Sequence, residues 1–332
     1  DLADSLGMAR PYRAVRWRAF GLVAVGAPEG EPEFKAALEQ VVAAGDTPFA
    51  MFMLEERVQA LEGAAALGAM DEAAAFAKRY GLTDDRLTRM RVELLEFLGR
   101  WDDVLEAIPP LIARAELQGA ASTRFALEWV RGIIELERGV DIDLEGLKVQ
   151  GAALGLEEHF FAGVASRLAY LRGDFEASRR IVVETLDRLP DGFFVTAVFF
   201  VTTAIAAGDL PLAHRVLTHT YPESTPRLRS VLVKLARGLV LEAEGDLDGA
   251  RQLFAEAVAW LVGRTRSLPT QEALFALGRA QVALGEIDEG LVRLREARSV
   301  GEDLKTAHAI ARIDAAIESA TRRSGERAAE GR

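Results

Sequence analysis

The stretch VLVKLARGLVLEAEGDLDGARQLFAEAVAWLV, residues 231–262, decides the fold. It predicts two helices joined by a tight turn at Gly245-Asp246, because glycine suits the end of a helix and aspartate caps the next one. Gly238 leaves room on the first helix for a close neighbour. Spacings of four and three place three residues on one face of the second helix: Ala250, Phe254 and Ala257. Neither helix buries its apolar face alone, so the hairpin needs neighbours on both sides.

The same turn recurs along the chain. Glycines that we interpret as turn residues follow one another at intervals of 31 to 40 residues: Gly68, Gly99, Gly139, Gly173, Gly208, Gly245 and Gly285. A near-period of this length is typical of helical-hairpin repeats, each of which buries its core against the next.

The pattern predicts an all-α chain of consecutive helix pairs. The expected helices cover 11–25, 32–44, 48–66, 70–80, 86–98, 102–117, 122–138, 143–154, 157–172, 174–189, 193–207, 209–220, 227–244, 246–262, 270–284, 286–299 and 304–322. Pro109-Pro110 is expected to kink or interrupt its helix. We divide the chain into divergent N-terminal repeats (1–120), regular repeats (121–303), a capping helix (304–322) and a flexible tail (323–332).

Three segments carry a family resemblance. Residues 238–257 read Gly-x6-Gly-Asp-Leu-x2-Ala-x3-Phe-x2-Ala, residues 271–297 repeat this spacing with Leu277-Gly278 and Gly285, and residues 173–190 read GDFEA and end on a proline. These segments resemble the tetratricopeptide repeat (TPR) family, strongly over 159–300 and weakly before about 120. The resemblance implies a right-handed α-solenoid of seven or eight TPR-like hairpins with a C-terminal capping helix. In its long and divergent repeats the chain is also similar to the sensor arms of bacterial signalling ATPase regulators of the maltose-activator type.

The resemblance implies a concave groove lined by the first helix of each pair. The run GFFVTAVFFVTTAIAA, residues 192–207, is apolar on every face, which fits either a binding role for its inner side or burial of that side by tight superhelical curvature or a dimer contact. By spacing, thirteen residues are expected to line the groove: Trp129, Ile133, Phe160, Arg167, Tyr170, Val195, Val198, Thr202, Leu232, Leu235, Leu239, Phe275 and Arg279.

We therefore interpret the chain as a non-enzymatic scaffold and expect no cofactor. Its groove would bind a protein, a peptide or an apolar small-molecule effector, as the sensing or regulatory part of a larger transcriptional or signalling regulator. The alternative is a structural module whose apolar groove is buried in a homo-oligomer. The family's clamp for a peptide carboxylate, built from Lys and Asn, does not fit a chain with no Asn and five Lys.

Charge and composition restrict the partners. A net charge of −11 argues against nucleic acid, which favours a basic surface. The longest uncharged run, Gly192–Gly208, is shorter than the roughly 20 apolar residues of a membrane span. Met8–Ala27 has a signal-like order, but we interpret it as a first amphipathic helix and expect a cytoplasmic protein. The scarcity of Lys and the absence of Asn indicate a high-GC bacterial coding bias.

Three sets of polar residues each allow a functional interpretation and a purely structural one. Asp102, Asp103 and Glu106 resemble a carboxylate set for Mg²⁺, yet they stand at a repeat turn, where aspartate caps a helix. Arg10, Arg13, Arg16 and Arg18 form a small basic patch that we interpret as a solvated face. The four histidines lack ligand spacing, and no catalytic motif is present, so no metal site is expected.

Overall fold

A computed structural model describes residues 22–23, 27–61, 63–83, 85–188, 197–219 and 227–330. Apart from residues 22–23, the predicted helix at 11–25 lies outside this part of the chain, as do the arginine patch and Val195. Within the described ranges the chain is all-α and contains no strand. None of the described helices is long and apolar enough to cross a membrane.

The helices, numbered in chain order over the described residues, match most of the predicted pairs. They are α1 (Gly30–Ala43), α2 (Thr47–Ala60), α3 (Gly63–Tyr80), α4 (Asp85–Phe97), α5 (Trp101–Leu117), α6 (Ala121–Glu137), α7 (Leu144–Ala153), α8 (Ala162–Leu171), α9 (Phe175–Arg188), α10 (Ala197–Ala206), α11 (Leu210–Thr218), α12 (Arg227–Glu244), α13 (Leu247–Leu261), α14 (Leu268–Leu284), α15 (Ile287–Leu304) and α16 (Ala307–Glu330). A 3₁₀ turn at Glu158–Phe161 precedes α8.

The hairpin turns use the residues that the sequence indicated. Six of the seven predicted turn glycines have positive φ, from 71° at Gly208 to 89° at Gly245 and Gly285. At the following position Asp209 and Asp246 accept hydrogen bonds from backbone N–H groups three residues later, both at 3.0 Å. A turn of this kind satisfies the open end of one helix and starts the next.

Three local predictions were wrong. Gly68 is not a turn residue, because α3 runs through it and the break lies near Leu61. Pro109 and Pro110 do not interrupt α5; both are exposed on a continuous helix, where their rings avoid the packed face. The last helix, α16, continues through most of the expected tail, to Glu330.

The hairpin of α12 and α13 packs as its sequence predicts. Ala250, Phe254 and Ala257 have no exposed surface. A Cβ atom at Gly238 would lie 2.5 Å from the ring of Phe254, so glycine is what allows the two helices to approach. This contact fixes the geometry of the hairpin.

The chain divides into two compact units, 1–95 and 96–332. The described core of the first unit is built by α1, α2 and α3 around Phe34, Met53 and Met70. Its Arg57 is buried and pairs with Glu31 at 2.9 Å and Glu72 at 2.5 Å.

From α5 to α16 consecutive helices contact one another, except that α7 and α8 are joined through the 3₁₀ turn, and alternate helices also contact one another. We call α6, α8, α10, α12, α14 and α16 the alternate row; contacts join α8 to α10, α10 to α12, α12 to α14, and α14 to α16. A side-chain ion pair joins α6 to α8. Near the far end of the row, the ring of His308 on α16 lies 6.2 Å from that of Tyr170 on α8.

The first and last parts of this unit are bonded together. Thr265 donates a hydrogen bond to the carbonyl of Phe97 at 2.6 Å, and Arg138 donates one to the carbonyl of Leu304 at 3.0 Å. Lys305 also donates to the Asp102 carboxylate at 2.8 Å. We call these contacts the closing contacts; they join residues 166 to 203 positions apart in the chain.

Candidate functional site

A cavity of about 320 Å³ lies among α6, the 3₁₀ turn, α8 and α10 in the second unit. Its lining is mainly apolar and includes one pair of opposite charges. The lining residues are Trp129, Ile133, Leu136, Glu137, His159, Phe160, Gly163, Val164, Arg167 and Phe199. Apolar cavities of this size that contain a few polar groups are the usual form of small-molecule sites.

Aromatic side chains form one wall of the cavity. The ring of Trp129 lies 5.1 Å from that of Phe160 and 5.5 Å from that of Phe161, measured between centroids. Phe161 is buried in the core, whereas Phe160 is 41% exposed. A large apolar ring held at the protein surface is costly in water and marks a surface that a ligand can cover.

The charged pair in the lining is Arg167 with Glu137. Nε and Nη2 of Arg167 donate to the two carboxylate oxygens of Glu137, at 2.6 and 2.7 Å. The side chains are only 6% and 4% exposed. Burial works against the charge of Arg167, but the charge and hydrogen bonds of Glu137 outweigh it and the pKa of Arg167 is raised. Arg167 therefore remains charged at neutral pH.

Two aromatic rings hold the guanidinium of Arg167 in place. Its central carbon lies 5.0 Å from the ring of Phe199 and 5.4 Å from the ring of Tyr170. A planar cation over an aromatic face is favourable, more so where water is excluded. Arg167 is thus oriented by Glu137 and by rings on two helices.

Four of the thirteen predicted groove residues meet at this cavity: Trp129, Ile133, Phe160 and Arg167. Sequence reasoning missed Glu137, Gly163 and Phe199. The spacing held one signal, since Glu137 precedes Arg167 by 30 residues, close to the shortest interval between the predicted turn glycines.

The other described groove residues lie elsewhere in the second unit. Leu235 has no exposed surface, Phe275 and Tyr170 are buried, and Val198 and Leu239 pack against the core of α10 and α12. Thr202 donates its hydroxyl to the carbonyl of Val198, and Leu232 is half-buried. Arg279 pairs with Glu242 at 2.7 Å. The structure therefore gathers only part of the predicted groove around open space.

Two of the three carboxylates considered for Mg²⁺, Asp102 and Asp103, are engaged by basic side chains. Asp102 accepts hydrogen bonds from Lys305 and Arg138, which lower its pKa, and Asp103 pairs with Arg100 at 2.5 Å. Among the described residues, no group of three or more His, Asp or Glu is placed to hold a metal ion. A cation at Asp102 would have to displace the closing contact with Lys305.

Three of the histidines contact nearby polar groups. His159 lies 3.1 Å from Glu157, and His214 lies 2.8 Å from Glu244. His219 contacts the carbonyl of Arg215 at 2.9 Å. His159 is the one that reaches the cavity lining.

Comparison with known proteins adds no assignment. A scan against protein-family models finds no matching family. A search of curated proteins likewise finds no match.

Proposed function

We propose that the second unit is a TPR-like, non-enzymatic scaffold that binds a ligand in the cavity beside Arg167. The observation that carries this proposal is a space of about 320 Å³, mainly apolar, with an oriented and buried ion pair in its lining. Such a site offers apolar contact for affinity and a fixed polar group for orientation.

The repeat character of the unit is part of the proposal. Several hydrogen-bonded side-chain pairs join residues about one repeat apart: Asp141 with Arg172, Glu158 with Arg188, Arg179 with Asp209, and His214 with Glu244, at separations of 30 or 31 residues. Successive units of one kind would bring equivalent positions together in this way. Gly-Asp turns and contacts along the alternate row support the same interpretation.

In this proposal the unit is the sensing or regulatory part of a larger regulator. The support is the sequence resemblance to sensor arms, together with a cavity whose polar groups are arranged for holding a molecule. A protein or peptide partner would reach the site through the exposed ring of Phe160, and an apolar effector would occupy the space behind it.

A melting-temperature screen tests the function. The purified chain is heated with metabolites, nucleotides, metal ions and peptides, and ligands that raise Tm are retained. A ligand at 100 times its Kd stabilises the folded state by about 2.7 kcal/mol. The Val164→Phe variant fills the cavity and should abolish the shift. Val292→Phe is the matched control, because Val292 is exposed and lies away from the cavity lining.

Two results would contradict the proposal. One is an unchanged shift in Val164→Phe, which would move the binding site elsewhere. The other is the absence of any stabilising molecule across all classes of the screen.

The alternative, a homo-oligomerisation module, has support of its own. Leu117 at the end of α5 is 91% exposed and Val149 on α7 is 71% exposed, which suits a protein contact on these helices. Sedimentation at several concentrations distinguishes the two: a stable dimer that Leu117→Glu and Val149→Glu dissociate would favour this alternative. A monomer at every concentration would remove it.

A further inference from the structure

We propose that the cavity takes an uncharged molecule of about two fused rings, with one hydrogen-bond acceptor directed at Arg167. This inference rests on the proposed function, because it names the chemical class that the same site would bind. It follows from the size, the charge and the unused donors of the site.

The volume of the cavity limits the size of the ligand. An engineered cavity of about 150 Å³ lined by apolar side chains binds benzene. The cavity beside Arg167 is about 320 Å³, roughly twice as large. With Trp129, Phe160 and Phe199 in its lining, it offers flat apolar surfaces that suit a planar two-ring body.

The charged groups in the lining restrict the charge of the ligand. The ionisable groups in the lining are Arg167, Glu137 and His159. Glu137 already neutralises Arg167, and the negative charge of Glu272 also acts on this arginine. An anion would meet Glu137 and lose its water without gaining a free cation. A cation would meet a carboxylate whose two oxygens are already bonded to Arg167.

The unused donors of Arg167 provide the third constraint. A guanidinium has five N–H donors. Two of them bond to Glu137, and within the described part of the chain Nη1 makes no hydrogen bond. A neutral oxygen acceptor on the ligand would bond to a donor that has no partner within the described part of the chain, and it would add no charge.

Four naphthalene probes test this class on the full chain by isothermal titration. They are 2-acetylnaphthalene (neutral acceptor), 2-ethylnaphthalene (no polar group), 2-naphthoate (anion of the same shape) and 2-naphthylmethylammonium (cation). We expect the ketone to bind about tenfold more tightly than the hydrocarbon, and both ions to bind more weakly than the ketone. A preference for either ion, or equal binding of ketone and hydrocarbon, would overturn the inference.

The double variant Glu137→Leu/Arg167→Met assigns the donor. Replacing both charges avoids a lone buried ion, which keeps the fold stable. The preference for ketone over hydrocarbon should disappear while the hydrocarbon still binds. A retained preference would show that another group donates. The order of affinities in the unaltered protein decides the ligand class even if the double variant does not fold.

The outcomes also separate this inference from the proposed function. If none of the four probes binds but another molecule in the screen stabilises the chain and loses its effect in Val164→Phe, the function stands and the ligand class is wrong. If the screen and the probes both fail, the function fails as well.

Discussion

Two regions of the second unit share an arrangement of charges and differ in how the space beside it is filled. In each, an acid on one helix of the alternate row pairs with an arginine on the next: Glu137 with Arg167, and Glu242 with Arg279. Four residues before the arginine, on the same helix face, the first region has Gly163 and the second has Phe275.

The residue at this position contributes to whether space remains beside the ion pair. Gly163 lines the cavity and contributes no side chain to it. In the second region the ring of Phe275 is buried, with Arg279 on it at 4.8 Å and Arg312 at 4.9 Å. Two regions with the same arrangement of charges can therefore hold either a cavity or a filled core, depending on the residue at this position and on the side chains that cover it.

The largest expected loss of stability comes from removing the ring of Phe275 in the second region. Phe275→Ala should lower the free energy of unfolding by about 3–5 kcal/mol, because it removes a buried ring that two arginines cover. Chemical denaturation measures the change. Phe175→Ala is the control, since Phe175 is one of the exposed aromatic residues. A loss below about 1 kcal/mol for Phe275→Ala would mean that the two regions are packed alike.

The next effect comes from breaking the two ion pairs. Arg167→Met should cost about 3–5 kcal/mol, because it leaves Glu137 buried without a partner. Arg279→Met should cost about 1 kcal/mol, since the Arg279 side chain is 37% exposed and water can replace it. Equal losses in the two variants would contradict the difference in burial.

The smallest effect concerns His308, which faces Arg312, Arg167, Glu137 and Glu272. Burial and the two arginines lower the pKa of His308 in the folded chain. The folded state then binds fewer protons than the unfolded state, so its contribution to stability is present above the unfolded pKa of about 6.5 and is lost as the pH falls. The decrease in Tm between pH 7.5 and 5.5 should be smaller in His308→Gln. A larger decrease in Tm for His308→Gln than for the unaltered chain would contradict a lowered pKa of His308 in the folded state.

Local patterns in the sequence predicted the elements well. The 3.6-residue periodicity and the Gly-Asp turns placed most helices within a few residues, and the face of Ala250, Phe254 and Ala257 is buried as expected. Gly68 was misread because a glycine inside an alanine-rich helix has the same local appearance as a turn glycine. Such errors arise because a local sequence pattern does not include the tertiary contacts of a residue.

The site was predicted only in part, for a physical reason. Spacing identified Trp129, Ile133, Phe160 and Arg167, but it treated every equivalent position as open groove. Which of these positions is covered depends on side chains from later helices, as Arg312 covers Phe275. Packing between residues far apart in the chain cannot be predicted from local sequence patterns.

The closing contacts have a consequence for how the second unit folds. In an array whose repeats touch only their neighbours, stability is a sum of local terms and a terminal repeat can open alone. Here Thr265, Arg138 and Lys305 join segments 166 to 203 residues apart, so the first helices of the unit gain part of their support from the last ones. The unit has to close a loop of almost its whole length before these bonds form, which makes folding slower and unfolding more cooperative than in a linear array.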